Sequence, residues 1–113
     1  MAHAAFHALA EPRRRAILRL IRDEPRSVNE IAEHFDITHQ AVSQHLRVLK
    51  DGGLVVSRAE GTRRVYQLNP DGVTALRAYL DRVWEDALTA FQKAADNASG
   101  EAEPEPEPEQ ESQ

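Results

Sequence analysis

The sequence contains no cysteine. That single absence removes disulfide frameworks, thiolate metal sites and thiol redox sensing together. There is also no apolar run long enough to span a bilayer, and no charged-then-apolar leader ending in small residues. The expectation is a soluble, cytoplasmic protein with no membrane contact. Its 113 residues suffice for one modest core, at a size where pairing with a second copy adds needed buried surface. No glycine-rich phosphate loop is present, since Gly52-Gly53 lacks the residues that must follow. Ser43 and His45, two apart on a helix, would face different directions. They therefore do not supply the convergent nucleophile and base that catalysis needs. No enzyme activity and no cofactor are expected.

Positive charge is scarce overall, with a formal net charge of −5, but its distribution matters more than its sum. Six of the 19 acidic residues are Glu101, Glu103, Glu105, Glu107, Glu109 and Glu111. Residues 1–98 carry 14 basic against 13 acidic groups, and residues 12–68 carry 11 against 7. The body is mildly basic and the terminal stretch sets the bulk charge. Only such local charge bears on contact with phosphates.

What is present is a run of helical signals, then a change of period. The Ala-rich start, residues 3–9, predicts a short helix. Glu11-Pro12 opens a second, with proline where its missing N–H costs nothing, and Pro25 marks its exit. Ser27 and Glu30 form a capping box ahead of Val28, Ile31, Ala32 and Phe35 at helical spacing. Asp36-Ile37 predicts a tight turn, and Thr38 is a good N-cap for a helix from His39 to about Asp51. Gly52-Gly53 stops it. Two helices joined by a short turn make a helix-turn-helix, at about 28–51. The period then falls to 2 over 54–58 and 63–68, a hairpin turning at 59–62. Asn69-Pro70 starts a long helix, about 70–97, whose apolar stripe runs through Val73, Leu76, Leu80, Val83, Trp84, Ala87, Leu88 and Phe91. That stripe is too wide for the surface helix of so small a body. The Glu/Pro alternation over 99–113 has no apolar content and predicts a disordered acidic tail. The expected domain is therefore 1–98.

The helix beginning at His39 carries the functional signal. Val42, Leu46 and Leu49 share the face that would pack on the domain. Gln40, Ser43, Gln44 and Arg47 share the opposite one, at i, i+3, i+4 and i+7. Gln pairs with adenine, Arg with guanine and Ser with several base edges, and the first turn of such a helix enters the major groove. His39 and His45 flank this face within reach of phosphates, and Thr38 stands at its head. Arg58, Arg63 and Arg64 surround Gly61, so the hairpin tip would sit on a phosphate backbone or in the minor groove. Such contacts position without specifying sequence. Arg13, Arg14 and Arg15 either add to this surface or form a solvated helix face. The competing reading of the same pattern is a protein-interaction module without specific DNA binding.

These stretches resemble the ArsR-type family of winged helix repressors. The resemblance lies in residues 6–18 (FHALAEPRRRAIL), 27–35 (SVNEIAEHF), 41–55 (AVSQHLRVLKDGGLV) and 61–70 (GTRRVYQLNP). Residues 79–91 (YLDRVWEDALTAF) resemble the metal-independent branch. The resemblance implies a mainly α fold with a small β-hairpin: a winged helix-turn-helix with N- and C-terminal dimerisation helices. It implies a repressor of its own or a neighbouring operon, and a homodimer interface that includes Phe6, Leu9, Val73, Leu76, Leu80, Val83, Trp84 and Leu88. A two-fold dimer would set two recognition helices roughly 34 Å apart, on a pseudo-palindromic operator of double-stranded DNA. Metal-sensing relatives use cysteines, or His and carboxylate ligands on the last helix. Here there are no cysteines, and the last helix has no histidine. His3 and His7 could share a helix face, but zinc sites need three or four ligands. No metal site is expected, and the sequence names no effector.

Overall fold

The computed structural model describes residues 2–101, with side chains through residue 98. The elements are α1 (Ala2–Leu9), α2 (Pro12–Asp23), β1 (Arg26–Ser27), α3 (Val28–Phe35) and α4 (His39–Asp51). After them come β2 (Val55–Glu60), β3 (Arg63–Leu68) and α5 (Pro70–Glu101). The chain divides into two compact units, the first ending at Tyr79 and the second beginning at Leu80.

In the first unit, the helices start where the sequence supplies acceptors for their free N–H groups. Glu11 accepts from the backbone N–H of Arg13 and Arg14 at 2.9 and 3.2 Å, ahead of Pro12. Ser27 Oγ accepts from Glu30 N–H at 3.2 Å while Glu30 Oε1 accepts from Ser27 N–H at 2.9 Å. Thr38 Oγ1 accepts from Ala41 N–H at 3.0 Å. Between α3 and α4 the chain reverses through Asp36 in the left-handed region (φ 55°), which a short polar side chain tolerates. The Ile37 N–H then returns to the Ala32 carbonyl at 3.1 Å.

Helix α4 ends in a Schellman arrangement. Gly53 N–H bonds the Lys50 carbonyl at 2.9 Å and Leu54 N–H bonds that of Leu49 at 3.0 Å. Gly53 takes φ 78°, where a Cβ would be strained. The start of α5 locks onto this turn. Asn69 Nδ2 donates to the Gly53 carbonyl at 2.9 Å, and Asn69 N–H to that of Leu54 at 2.9 Å. Gly72 lies so close that a Cβ there would fall 1.7 Å from the Gly53 oxygen.

Ile17 and Ile21 of α2, Ile31 of α3, and Val42, Leu46 and Leu49 of α4 are buried together with Leu54 and Val55. Ala5 and Ala8 of α1 join them because small side chains let that helix approach closely. The sheet is antiparallel in the order β1-β3-β2. Strand β1, which the sequence pattern did not reveal, pairs Arg26 with Tyr66 and Ser27 with Val65. Two residues are too few to show a period, and their partners lie some forty residues away in sequence. The hairpin turns on Gly61 and Thr62 alone, with Gly61 at φ 65°. Its strand β2 therefore runs to Glu60, two residues beyond the expected end.

In the second unit, α5 continues from Leu80 to Glu101, past the expected end near residue 97. Leu80, Val83, Trp84, Leu88 and Phe91 are exposed along it. The remainder of the expected acidic tail, residues 102–113, lies outside the described residues. Among the described residues no helix is long and apolar enough to cross a membrane.

Candidate nucleic-acid interface

Helix α4 presents two chemically distinct faces. Val42, Leu46 and Leu49 are buried, whereas Gln40, Ser43, Gln44 and Arg47 are all exposed. Burying the apolar set fixes the rotation of the helix about its axis, and so fixes which residues face outward. His39 is exposed at the first turn, and Thr38 is exposed with its hydroxyl committed to the cap. Arg47 has no hydrogen-bonding or ionic partner among the described residues, which leaves its planar donor fork available.

The structure places His45 elsewhere. It is partly buried on the side of α4 that faces the start of α2. Burial is the main reason its pKa falls below the ordinary 6.5. Glu11 favours its charged form, and Arg14 and Arg13 oppose it. The spacing held the signal: with Val42 at i, His45 is i+3 and lies beside Leu46 and Leu49 at i+4 and i+7.

An open cleft of about 610 Å³ runs between α4 and β3, lined by Ser43, Leu46, Arg47, Lys50, Asp51 and Tyr66. Lys50 and Tyr66 were not anticipated. Lys50 continues the stripe of Ser43 and Arg47, so helical spacing alone would have found it. Tyr66 enters only through the register of β3 opposite Ser57 and Arg26.

Register also divides the wing arginines. Directly paired residues share a face, so Arg64 lies with Ser57 and Tyr66, while Arg58, Glu60 and Arg63 lie on the other side. Arg64 Nη1 donates to Ser57 Oγ at 3.3 Å. Arg58 donates to Gln67 Oε1 at 3.2 Å and to Glu60 Oε2 at 3.4 Å. Arg63 spans two carboxylates, Glu30 at 3.1 Å and Glu60 at 3.3 Å.

The α2 arginines have local work. Arg14 Nε donates to the Ala8 carbonyl at 2.8 Å and Arg15 Nη1 to that of Leu9 at 2.8 Å, satisfying the end of α1. The Arg13 guanidinium stands 5.2 Å from the centre of the Phe35 ring.

Of the residues expected at a dimer interface, Phe6, Val73, Leu80, Val83, Trp84 and Leu88 are exposed. Leu9 and Leu76 instead pack partly against the core of their own chain. With Leu18, Leu54, Leu68 and Val73 they line an apolar hollow of about 240 Å³. The Phe6 and Tyr79 rings are tilted against each other, 5.7 Å between centres. Among the described residues no three His, Asp or Glu side chains converge as metal ligands.

A family model described as a helix-turn-helix domain matches residues 9–58. The chain is 48% identical over 93 residues to the HTH-type transcriptional regulator Rv2034 of Mycobacterium tuberculosis, covering 82% of this chain and 87% of that protein. It is 36% identical over 64 residues to the transcriptional repressor SdpR of Bacillus subtilis, covering 57% and 71%. Its fold matches the solution structure of the homodimeric winged helix-turn-helix DNA-binding domain of Mb0332 from Mycobacterium bovis, a possible ArsR-family transcriptional regulator. That match has a TM-score of 0.61 at 36% identity over 74% of this chain and 78% of the other.

Proposed function

The chain belongs to the ArsR family of helix-turn-helix transcriptional regulators, and from that we propose that it is a homodimeric repressor binding an inverted-repeat operator. The observation that carries this reading is the exposed set Gln40, Ser43, Gln44 and Arg47 above the buried set Val42, Leu46 and Leu49. Helix α4 enters the major groove with those four side chains at base edges. Thr38, His39, Lys50, Arg58 and Arg64 lie around them as backbone contacts, which set orientation without reading sequence. The dimer forms through exposed apolar residues of α1 and α5, Phe6, Val73, Leu80, Val83, Trp84 and Leu88. The homodimeric state of the Mb0332 domain supports that pairing. The lack of cysteine favours the metal-independent branch of the family.

The test is selection of bound sequences from random duplex DNA at two salt concentrations. Enrichment of an inverted repeat with half-sites about one helical turn apart is expected. On the selected operator, Arg47→Ala should cost about 1–3 kcal/mol and relax one base position, with little change on scrambled DNA. Equal losses on both would remove Arg47 from base reading. Salt-sensitive binding with no enriched sequence would make the protein a non-specific binder. No binding at low salt would move it to the protein-interaction class. A reporter driven from the operator should be silenced by the protein, and stimulation would reverse the sign of regulation.

A further inference from the structure

Arg63 was expected from the sequence to be a third backbone contact of the wing. Its surroundings differ from those of Arg58 and Arg64. Its Nη1 lies 3.1 Å from Glu30 Oε2 and its Nη2 3.3 Å from Glu60 Oε1. The guanidinium thus joins the hairpin to the first turn of α3. We infer that Glu30, Arg63 and Glu60 form a tether holding the wing against the helix-turn-helix, and that Arg63 positions the wing without touching DNA. This rests on the DNA-binding reading above.

Little entropy is lost in forming the tether. A surface ion pair is usually worth little, because two long side chains must be ordered to make it. Here Glu30 is ordered already: its other oxygen accepts from Ser27 N–H at 2.9 Å within the capping box. The same two donors, Ser27 first and Arg63 second, hold the Glu30 carboxyl below its ordinary pKa.

Arg63 faces two carboxylates and Arg58 shares the second of them, so the four charges sum to zero and offer an approaching phosphate no net attraction at this point. Arg64, which donates to the Ser57 hydroxyl, carries no such neutralisation.

Strand β3 is held to β1 at Tyr66 and Val65, and the hairpin from there to its tip is a two-stranded ribbon. Such ribbons are marginal by themselves in water. An anchor beyond Val65 is what would keep the wing at one angle to α3.

The test uses the full chain with Glu30→Gln and Arg63→Gln, singly and together. Glutamine at position 30 still completes a capping box, so helix α3 keeps its start while the ion pair is lost. In the free protein, amide exchange of residues 59–62 should quicken in each single variant and no further in the double variant. The double variant keeps the net charge of the parent, so its DNA binding reports on geometry. On a random duplex it should bind about two- to fivefold more weakly, the range of an exposed ion pair, with an unchanged slope of log affinity against log salt. A slope shallower by about one would mean that a phosphate contact has gone, and would overturn the positioning role. Unchanged amide exchange in Glu30→Gln would overturn the tether whatever the DNA data show. Should the parent bind no DNA at any salt, the DNA-binding reading fails, and the exchange measurement alone decides the tether.

Discussion

His45 shows how one step around a helix changes a residue's chemistry. Gln44 beside it is exposed, while His45 is turned inward and desolvated. A histidine whose folded pKa lies below its unfolded 6.5 resists protonation in the folded state. Its contribution to stability is complete above that unfolded value and is lost as the pH falls through it toward the folded one. Urea unfolding should therefore show the parent losing stability between about pH 7.5 and about pH 5.5, with His45→Gln losing less over the same window. Parallel pH profiles for the two proteins would assign the effect to another group. Arg14 and Arg15 make a similar point. Their positions suggested a solvated or phosphate-facing stripe, yet their donors close the carbonyl end of α1. An eight-residue helix is too short to persist without such support.

At the level of elements, the junction of α4 with α5 is the most constrained place in the fold. Asn69 caps the Gly53 carbonyl and Gly72 packs directly over it, so the end of α4 and the start of α5 meet at one peptide group. In an ordinary exposed helix, replacing glycine by alanine gains about 1 kcal/mol. Gly72→Ala should do the reverse and cost about 1–3 kcal/mol in denaturant unfolding, because a Cβ would overlap a backbone oxygen that cannot swing aside. A gain in stability would show that the two elements can separate freely. The Ser27–Glu30 capping box, the Thr38 N-cap and the Gly-Gly stop lie within four residues of what they act on, and all were legible in the sequence. Strand β1 was not legible, since its only reason to be extended is the edge of β3.

For the molecule as a whole, the unpartnered apolar surface of α5 is the feature that a single copy does not explain. Trp84 is 66% exposed and Phe91 71%, and large exposed aromatics at helical spacing mark association surfaces. Trp84→Glu combined with Leu88→Glu should convert a sedimenting dimer to a monomer, with a loss of about 2 kcal/mol or more at such an anchor. The monomeric variant should also bind a two-half-site operator far more weakly than the parent, while an intact dimer would place the interface elsewhere. The terminal glutamates account for the net charge of −5, so the overall charge is a poor guide to a body that is basic over residues 12–68.

Residue pattern alone is enough to give the helices, the caps at Ser27 and Thr38, the helix-turn-helix spacing and the polar face of α4. Each of these follows from interactions within one or two turns, where residue type and period suffice. Which charged groups are free depends instead on packing in three dimensions. Arg47 and Arg63 read alike as exposed cations near the expected DNA surface, yet among the described residues one is unpaired and the other bridges Glu30 and Glu60. The difference is set by strand register and by the packing of the wing beside α3. Those depend on contacts between residues far apart in the chain, and local pattern carries no record of such contacts.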